Sequence, residues 1–257
     1  MNIQIVVAKY KEPIDWVRKL SRDYSPIVYD KSRKNLHWPV RFTIRNLENA
    51  GREAHTYLHY MLHDYAPGKF DRIVFTQADP FEHSPDFLKL LDRNDEWQDI
   101  QPLSWGYMPL HGIPPRKTLE REVSEFIGDA RVRTEVYSLH SWAPIGYLDA
   151  GAAAILDKYN EANGLEPGEN IGAHFLRKCG LERLSEEASR AHIGRFAYGA
   201  IFSVADGVLA HFVEANRPQI EQILDVTRQD QINAWMFERL WLHFMGLPFI
   251  RLPDGDA

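Results

Sequence analysis

The chain has 257 residues, is 44% hydrophobic and 26% charged, and carries a formal net charge of −6, so it can bury a substantial core but exerts no global attraction on nucleic acid or anionic membrane. Its one cysteine, Cys179, excludes an internal disulfide and a multi-Cys zinc site, which suits a reducing, cytoplasmic setting. No apolar run approaches the roughly 18 residues of a membrane span, and no protein partner is evident.

The start, M-N-I-Q-I-V-V-A-K-Y, turns polar too soon for a signal peptide and alternates like a strand. Residues 3–8 are apolar and β-branched, which predicts a buried strand. Pro13 stands where a first helical turn tolerates it, and Ile14, Trp16, Val17 and Leu20 then follow at helical spacing. Residues 27–29 read as a second strand ending in Asp30. Strand, helix and strand in this succession predict an α/β fold with a parallel sheet.

Residues 31–45 hold Lys31, Arg33, Lys34, Arg41 and Arg45 with His37, Trp38 and Phe42 and no acid. That is the composition of a surface for phosphates and stacked bases, or of a solvated loop. A turn with Asn49 and Gly51 opens a helix over 52–63 with Leu58 and Leu62 on one side. His55, His59 and His63 form one stripe of it, though spacing over two turns seldom converges three rings on one ion. A strand over 73–76 ends in Gln77, Asp79 and His83. Ser84 is placed to cap a helix through Phe87, Leu88 and Leu91.

Residues 101–151 are rich in Pro, Gly and aromatics, predicting loops with a strand near 135–139. Helices are expected over 149–160 and 174–178. A strand over 200–204 leads into a helix through Leu209, and a last long helix covers 231–245. No repeat or linker divides the chain, so one domain over 1–257 is expected.

Polar groups thus gather where a helix begins and where a strand stops, the places that hold anionic ligands and metals in open α/β sheets. Glu53 in a first turn suits the helix dipole without any ligand. Arg52 there does not, and a ligand anion explains it better. Asp79 precedes Pro80, where Asp is common in turns, yet its place at a strand end beside Gln77 and His83 marks it as a site residue.

The segments V-V-A-K-Y-K-E, I-V-Y-D, N-A-G-R-E-A-H-T-Y-L and V-F-T-Q-A-D-P-F resemble an uncharacterised family of glycosyltransferase-like domains of bacteria, fungi and viruses. Y-G-A-I-F-S-V and F-E-R-L-W extend the likeness over most of the chain. More loosely, the chain is similar to nucleotide-sugar glycosyltransferases of the GT-A fold, including fringe-like enzymes. The resemblance implies a Rossmann-type, mostly parallel sheet flanked by helices, with residues 1–100 binding the donor and residues 101–257 the acceptor.

The resemblance further implies a nucleobase pocket around Lys9 and Tyr10, with Asp30 aimed at the base or ribose. Asn49, Gly51 and Arg52 would lie near the donor diphosphate. Gln77-Ala78-Asp79 stands where the fold usually has the Asp-x-Asp pair that holds a divalent metal. With Gln77 in the first position, Asp79 helped by His83 would hold Mn²⁺ or Mg²⁺ less firmly than two carboxylates, since hard cations favour anionic oxygens. Either the site is mixed and suits Mn²⁺, or Arg52 does part of the neutralisation.

Sugar transfer needs a stabilised leaving diphosphate and, for inversion, a carboxylate base. Glu238 is the candidate base, with Asp149 in reserve. Glu238 beside Arg239 also reads as a helix-surface ion-pair residue. His243 reads as buried packing or as a late metal ligand. The expected donor is a UDP-sugar. The acceptor, passing Tyr198, Gly199 and Ala200, is a glycan, a small molecule or a hydroxymethylated base in viral DNA, with Arg131 and Arg133 extending a basic patch. The rival functions are a non-catalytic sugar-nucleotide or carbohydrate-binding domain and a metal-dependent phosphoesterase or nuclease.

Overall fold

The computed structural model describes residues 1–32, 42–106, 113 and 116–253. Arg33, Lys34, His37, Trp38 and Arg41 of the basic stretch lie outside the described residues.

The first strand, β1 (Ile3–Lys9), is the centre of the sheet and alternates between its two faces. Val6 enters one core layer, while Ile3, Ile5 and Val7 enter the other. That period of two buries both faces of one apolar run. β2 (Tyr24–Asp30) and β3 (Thr43–Asn46) extend the sheet on one side in parallel, and β4 (Arg72–Gln77) pairs in parallel with β1 on the other. Between β1 and β2 the apolar residues 14–20 form a short 3₁₀ turn, Asp15–Lys19, rather than an α-helix.

Helix α1 (Arg52–His63) crosses from β3 to β4. Beyond β4 the chain makes α2 (Phe87–Leu91) and β5 (Ile100–Pro102). Ser84 does not cap α2. Its hydroxyl donates to the Leu103 carbonyl, and Asp86 takes the cap position without a side-chain bond. α3 (Arg116–Glu120), a small hairpin of β6 (Phe126–Ile127) and β7 (Ala130–Arg131), and β8 (Glu135–Ser138) follow.

The later part is mainly helical. α4 (Ala150–Asn163) is capped by Asp149, whose Oδ1 accepts from the Ala152 N–H at 3.0 Å. α5 (Ile171–Lys178) and α6 (Glu182–Ser189) pack on each other, and β9 (Ile193–Phe196) pairs antiparallel with β8. β10 (Phe202–Ala205) then returns to the main sheet and inserts, antiparallel, between β4 and β5. The sheet order is β3-β2-β1-β4-β10-β5. It is therefore a mixed sheet that is mostly parallel, as expected: β10 alone is reversed, and β5, antiparallel to β10, runs with the other four strands.

α7 (Asp206–Gln229) runs from β10 and bends at Asn216, ahead of Pro218. The proline removes one backbone donor and crowds the preceding turn, the usual origin of such a kink. The expected last helix is broken in two, α8 (Gln231–Glu238) and α9 (Trp241–Phe244). α1, α7 and α8 cover the face that receives Val6, Ile73 and Phe75. Ile14, Trp16, Phe87 and Leu90 cover the face that receives Ile5 and Val74.

Candidate functional site

β1 is flanked by the next strand in sequence on one side and by β4 on the other, so the chain leaves it in opposite directions. At such a switch point the loops after neighbouring strands diverge and leave a crevice at their carboxyl ends. A crevice of about 480 Å³ lies there, walled by Lys9, Tyr10 and Glu12 after β1, Lys31 after β2, and Gln77, Asp79 and Glu82 around the end of β4. Asn49, Arg52 and Glu53 close it from the start of α1, and Gln231 from α8.

The start of α1 is shaped by two left-handed residues in succession, Gly51 at φ 56° and Arg52 at φ 49°. A Cβ on Gly51 would meet the His55 Cβ at 2.8 Å and the Thr227 carbonyl at 3.0 Å, so glycine is required there. Arg52 adopts a conformation that costs a non-glycine residue of the order of 1 kcal/mol or more. Its guanidinium lies 3.8 Å from the centre of the Trp235 ring on α8, and its Nε is 3.4 Å from Glu53 Oε2.

Two lysines underlie the crevice. Lys9 Nζ reaches the Tyr10 carbonyl at 3.1 Å and Asp30 Oδ1 at 3.4 Å, and both side chains are buried. Asp30 Oδ1 also accepts from the Ser32 N–H at 2.8 Å, whereas Oδ2 has no hydrogen-bond partner among the described residues. Lys31 Nζ donates to the Ala50 carbonyl at 2.7 Å and to the Arg52 carbonyl. These bonds hold the unusual turn ahead of α1, and burial pulls the Lys31 amine down to about 8.

Glu53 is buried with Oε1 unpartnered among the described residues. Burial pushes its carboxyl up, the Arg52 guanidinium opposes this, and the charge of Glu238 adds to it. Two carboxylates near one another in a low-dielectric site do not both ionise readily, which favours the neutral form of Glu53.

Glu238 does not stand on the crevice wall. It is half-buried at the end of α8, where Oε1 accepts from the Gly199 N–H at 3.2 Å. Gln77 Nε2 donates to the Gly199 carbonyl at 2.7 Å. Gly199 sits at φ 65°, and a Cβ there would lie 2.5 Å from His83 Cδ2. The His83 ring packs edge-on against Tyr198 at 4.7 Å. Tyr198, Gly199 and Ala200 thus form a packed turn, with Gly199 and Ala200 buried, rather than an open edge.

These neighbours decide what a divalent ion would find. Asp79 is exposed, and its Oδ1 accepts from the Phe81 N–H at 3.2 Å, an Asx-type turn contact. His83 packs behind the Gly199 turn, and the Gln77 amide nitrogen is engaged. Among the described residues no group of three His, Cys, Asp or Glu side chains is close enough to hold a metal. The donor set does not fit an ion held by the protein alone.

Several other candidates prove to be packing. His243 is fully buried; its Nε2 accepts from the Arg195 N–H at 2.8 Å and its Nδ1 faces the Leu247 carbonyl at 2.6 Å, which assigns the proton to Nδ1. Both nitrogens are used, so it is not a metal ligand. Asp149 caps α4 and bonds Arg239 through Oδ2 at 3.1 Å. His55 is buried and pulled down to about 3 mainly by desolvation, while His59 is half-buried and His63 exposed. Arg131 pairs with Asp86 at 2.8 Å and Arg133 is buried 3.7 Å from Glu135, so neither extends an open basic patch. Cys179 is buried and its thiol pushed up to about 12.

Tyr10, Asn49, Arg52, Gln77 and Asp79 therefore meet in one crevice with Asp30 beneath it, while His83 and Glu238 stand behind the Gly199 turn. Sequence reasoning missed Lys31, Gln231 and Trp235 as site residues and read Glu53 only as a dipole residue. Lys31 directly follows the strand-ending Asp30, a signal that was available. Gln231 and Trp235 carry no local signal, because only the packing of α8 on α1 brings them in. Compared with protein-family models, curated proteins and solved structures, the chain matches none.

Proposed function

We propose that the chain is a nucleotide-sugar-dependent glycosyltransferase of the GT-A type. The observation that carries this reading is the crevice at the switch point, with Lys9 and Lys31 in its wall, a buried acid (Asp30) beneath it and Arg52 at a helix start. The sheet, mostly parallel with β10 alone reversed, supports this reading at the level of fold class. Tyr10, exposed at the rim, offers its ring to the base of the nucleotide. Asp30, buried beneath the crevice, acts from behind by holding Lys9 and the Ser32 N–H.

The diphosphate lies against Arg52 and the start of α1, where guanidinium and dipole both favour negative charge. In the transfer step a carboxylate takes the proton of the acceptor hydroxyl; in this reading it is Glu238, which lies off the crevice wall behind the Gly199 turn and whose Oε2 is not used by Gly199. The acceptor oxygen forms its bond to the anomeric carbon as the bond from that carbon to the diphosphate oxygen breaks. The electron pair and negative charge leave with the nucleoside diphosphate and are met by Arg52. In the GT-A enzymes that the sequence resembles, Mn²⁺ or Mg²⁺ supplies part of that neutralisation; in this reading Arg52 supplies it.

The acceptor is a glycan or small molecule. A hydroxymethylated DNA base is the less favoured acceptor, since Arg45, Arg131 and Arg133 are each engaged by an acid. A second reading, a non-catalytic sugar-nucleotide-binding domain, is favoured by one observation: the Gln77 amide braces Gly199 where the fold usually has an acid. A thermal-shift screen of UDP-, GDP- and dTDP-sugars, in Mn²⁺ and in chelator, tests the crevice. A shift with one nucleotide, lost in Arg52→Ala, supports it, and slow sugar release from that donor separates enzyme from binder. A flat screen would overturn the donor site.

A further inference from the structure

A second, smaller cavity of about 280 Å³ lies between α4 and α8. Gln231 lines both it and the main crevice, so the two spaces adjoin. The wall between them is the Arg52–Trp235 stack: Arg52 faces the crevice, and Trp235 lines the smaller cavity. Ile155 and Ile232 add apolar surface, Ala154 leaves space where a larger side chain would fill it, and Lys158 stands exposed at the rim.

The chemistry of this lining is specific. A half-exposed indole with two aliphatic neighbours offers a flat apolar floor. A primary amide beside it both donates and accepts, and an ammonium adds one positive charge. Pockets for drug-sized molecules run roughly 300–1,000 Å³, so this cavity takes about one ring. A pyranose fits that description, having an apolar C–H face, hydroxyls on its rim and, in an acidic sugar, one carboxylate.

We propose that the α4–α8 groove is the acceptor subsite and that it takes a glycoside whose terminal ring carries an anionic group, as in a uronic acid. The ring stacks on Trp235, a hydroxyl meets Gln231 at the junction with the donor crevice, and the carboxylate meets Lys158. This rests on the transferase reading for its role, though not for the binding itself. The Arg52–Trp235 stack would then carry the donor phosphates on one side and the acceptor ring on the other.

The test is ligand-observed NMR on the full chain with methyl β-glucuronide and methyl β-glucoside, each with UDP present and its own signals read in the same tube. The glucuronide is expected to bind more tightly than the glucoside by about 1.5- to 5-fold, the scale of one exposed charge pair. Lys158→Ala should erase that difference. Ala154→Phe should abolish binding of both sugars and leave UDP binding unchanged, which also shows the variant folded. UDP binding with no sugar binding, or sugar binding indifferent to Ala154→Phe, overturns the groove and leaves the donor site standing. Sugar binding lost in Ala154→Phe, with no UDP binding, upholds the groove and sinks the nucleotide-sugar reading instead.

Discussion

Gln77 and Glu238 hold the two peptide groups that flank Gly199: the Gln77 amide donates 2.7 Å to the Gly199 carbonyl, and Glu238 accepts from the Gly199 N–H at 3.2 Å. A carboxylate at position 77 would lose the donor and face a carbonyl oxygen. Gln77→Asp, which restores the usual acid pair in sequence, is therefore expected to lower stability by about 1–3 kcal/mol, the cost of a buried acceptor left unmet. Urea unfolding would measure it, and a titration with Mn²⁺ is expected to show no gain in affinity. Tighter Mn²⁺ binding with unchanged stability would mean that the amide is a substitute ligand and not a brace.

Glu238→Gln separates the two roles given to Glu238. The amide oxygen still accepts from Gly199, so the melting temperature should move little, whereas turnover should fall about 10²-fold or more with loss of the base. Glu238→Ala should lose both. Equal activity in the Gln variant would remove Glu238 from the chemistry.

Gly199→Ala is expected to cost about 1–3 kcal/mol, from a left-handed backbone and a Cβ placed 2.5 Å from His83 Cδ2. His83→Ala in the same chain should relieve the clash but not the backbone term. Thermal unfolding of the single and double variants gives the two contributions.

Arg52→Ala is expected to weaken nucleoside diphosphate binding by roughly 10- to 100-fold, the scale of a charge-assisted hydrogen bond. Calorimetry in chelator is expected to show binding of the wild type without a divalent ion. Strict dependence on Mn²⁺ would show that Arg52 is not the main counter-charge.

His243 makes the fold acid-sensitive. Burial, foremost, pulls its pKa from 6.5 to about 3; the Leu247 carbonyl opposes this, and the charge of Arg195 adds to it. The unfolded chain therefore binds this proton more readily than the folded one between these values. Stability from this group is full above pH 6.5 and is lost as pH falls toward 3, at up to about 1.4 kcal/mol per pH unit. The unfolding free energy from pH 7 to 5 should decline less steeply in His243→Gln.

The strands of the first half were legible because both faces of the sheet are buried there. Residues 3–8, 27–29 and 73–76 are the cores of β1, β2 and β4, and α1 matches its expected bounds at both ends. β3 was not legible. It is a short edge strand whose residues are mostly exposed, so Thr43 and Arg45 look like loop. The site divides in the same way. Tyr10, Arg52, Gln77 and Asp79 sit at the ends of legible elements, whereas the engagement of Gln77 and His83 by Gly199, and of Arg52 by Trp235, depends on how remote segments pack.

β10 has a consequence for how the molecule assembles. β5 touches no strand of the first hundred residues directly; it joins the sheet only through β10, which arrives after residue 201. Both clamps on the crevice, Gln77 to Gly199 and Arg52 to Trp235, likewise span more than a hundred residues of chain. Contacts of such range form late, since closing long loops costs entropy before the contacts repay it. During synthesis the donor half would emerge with its strands competent but its crevice unbraced. Ligand affinity should thus come into being only with the last sixty or so residues, in one step with completion of the sheet.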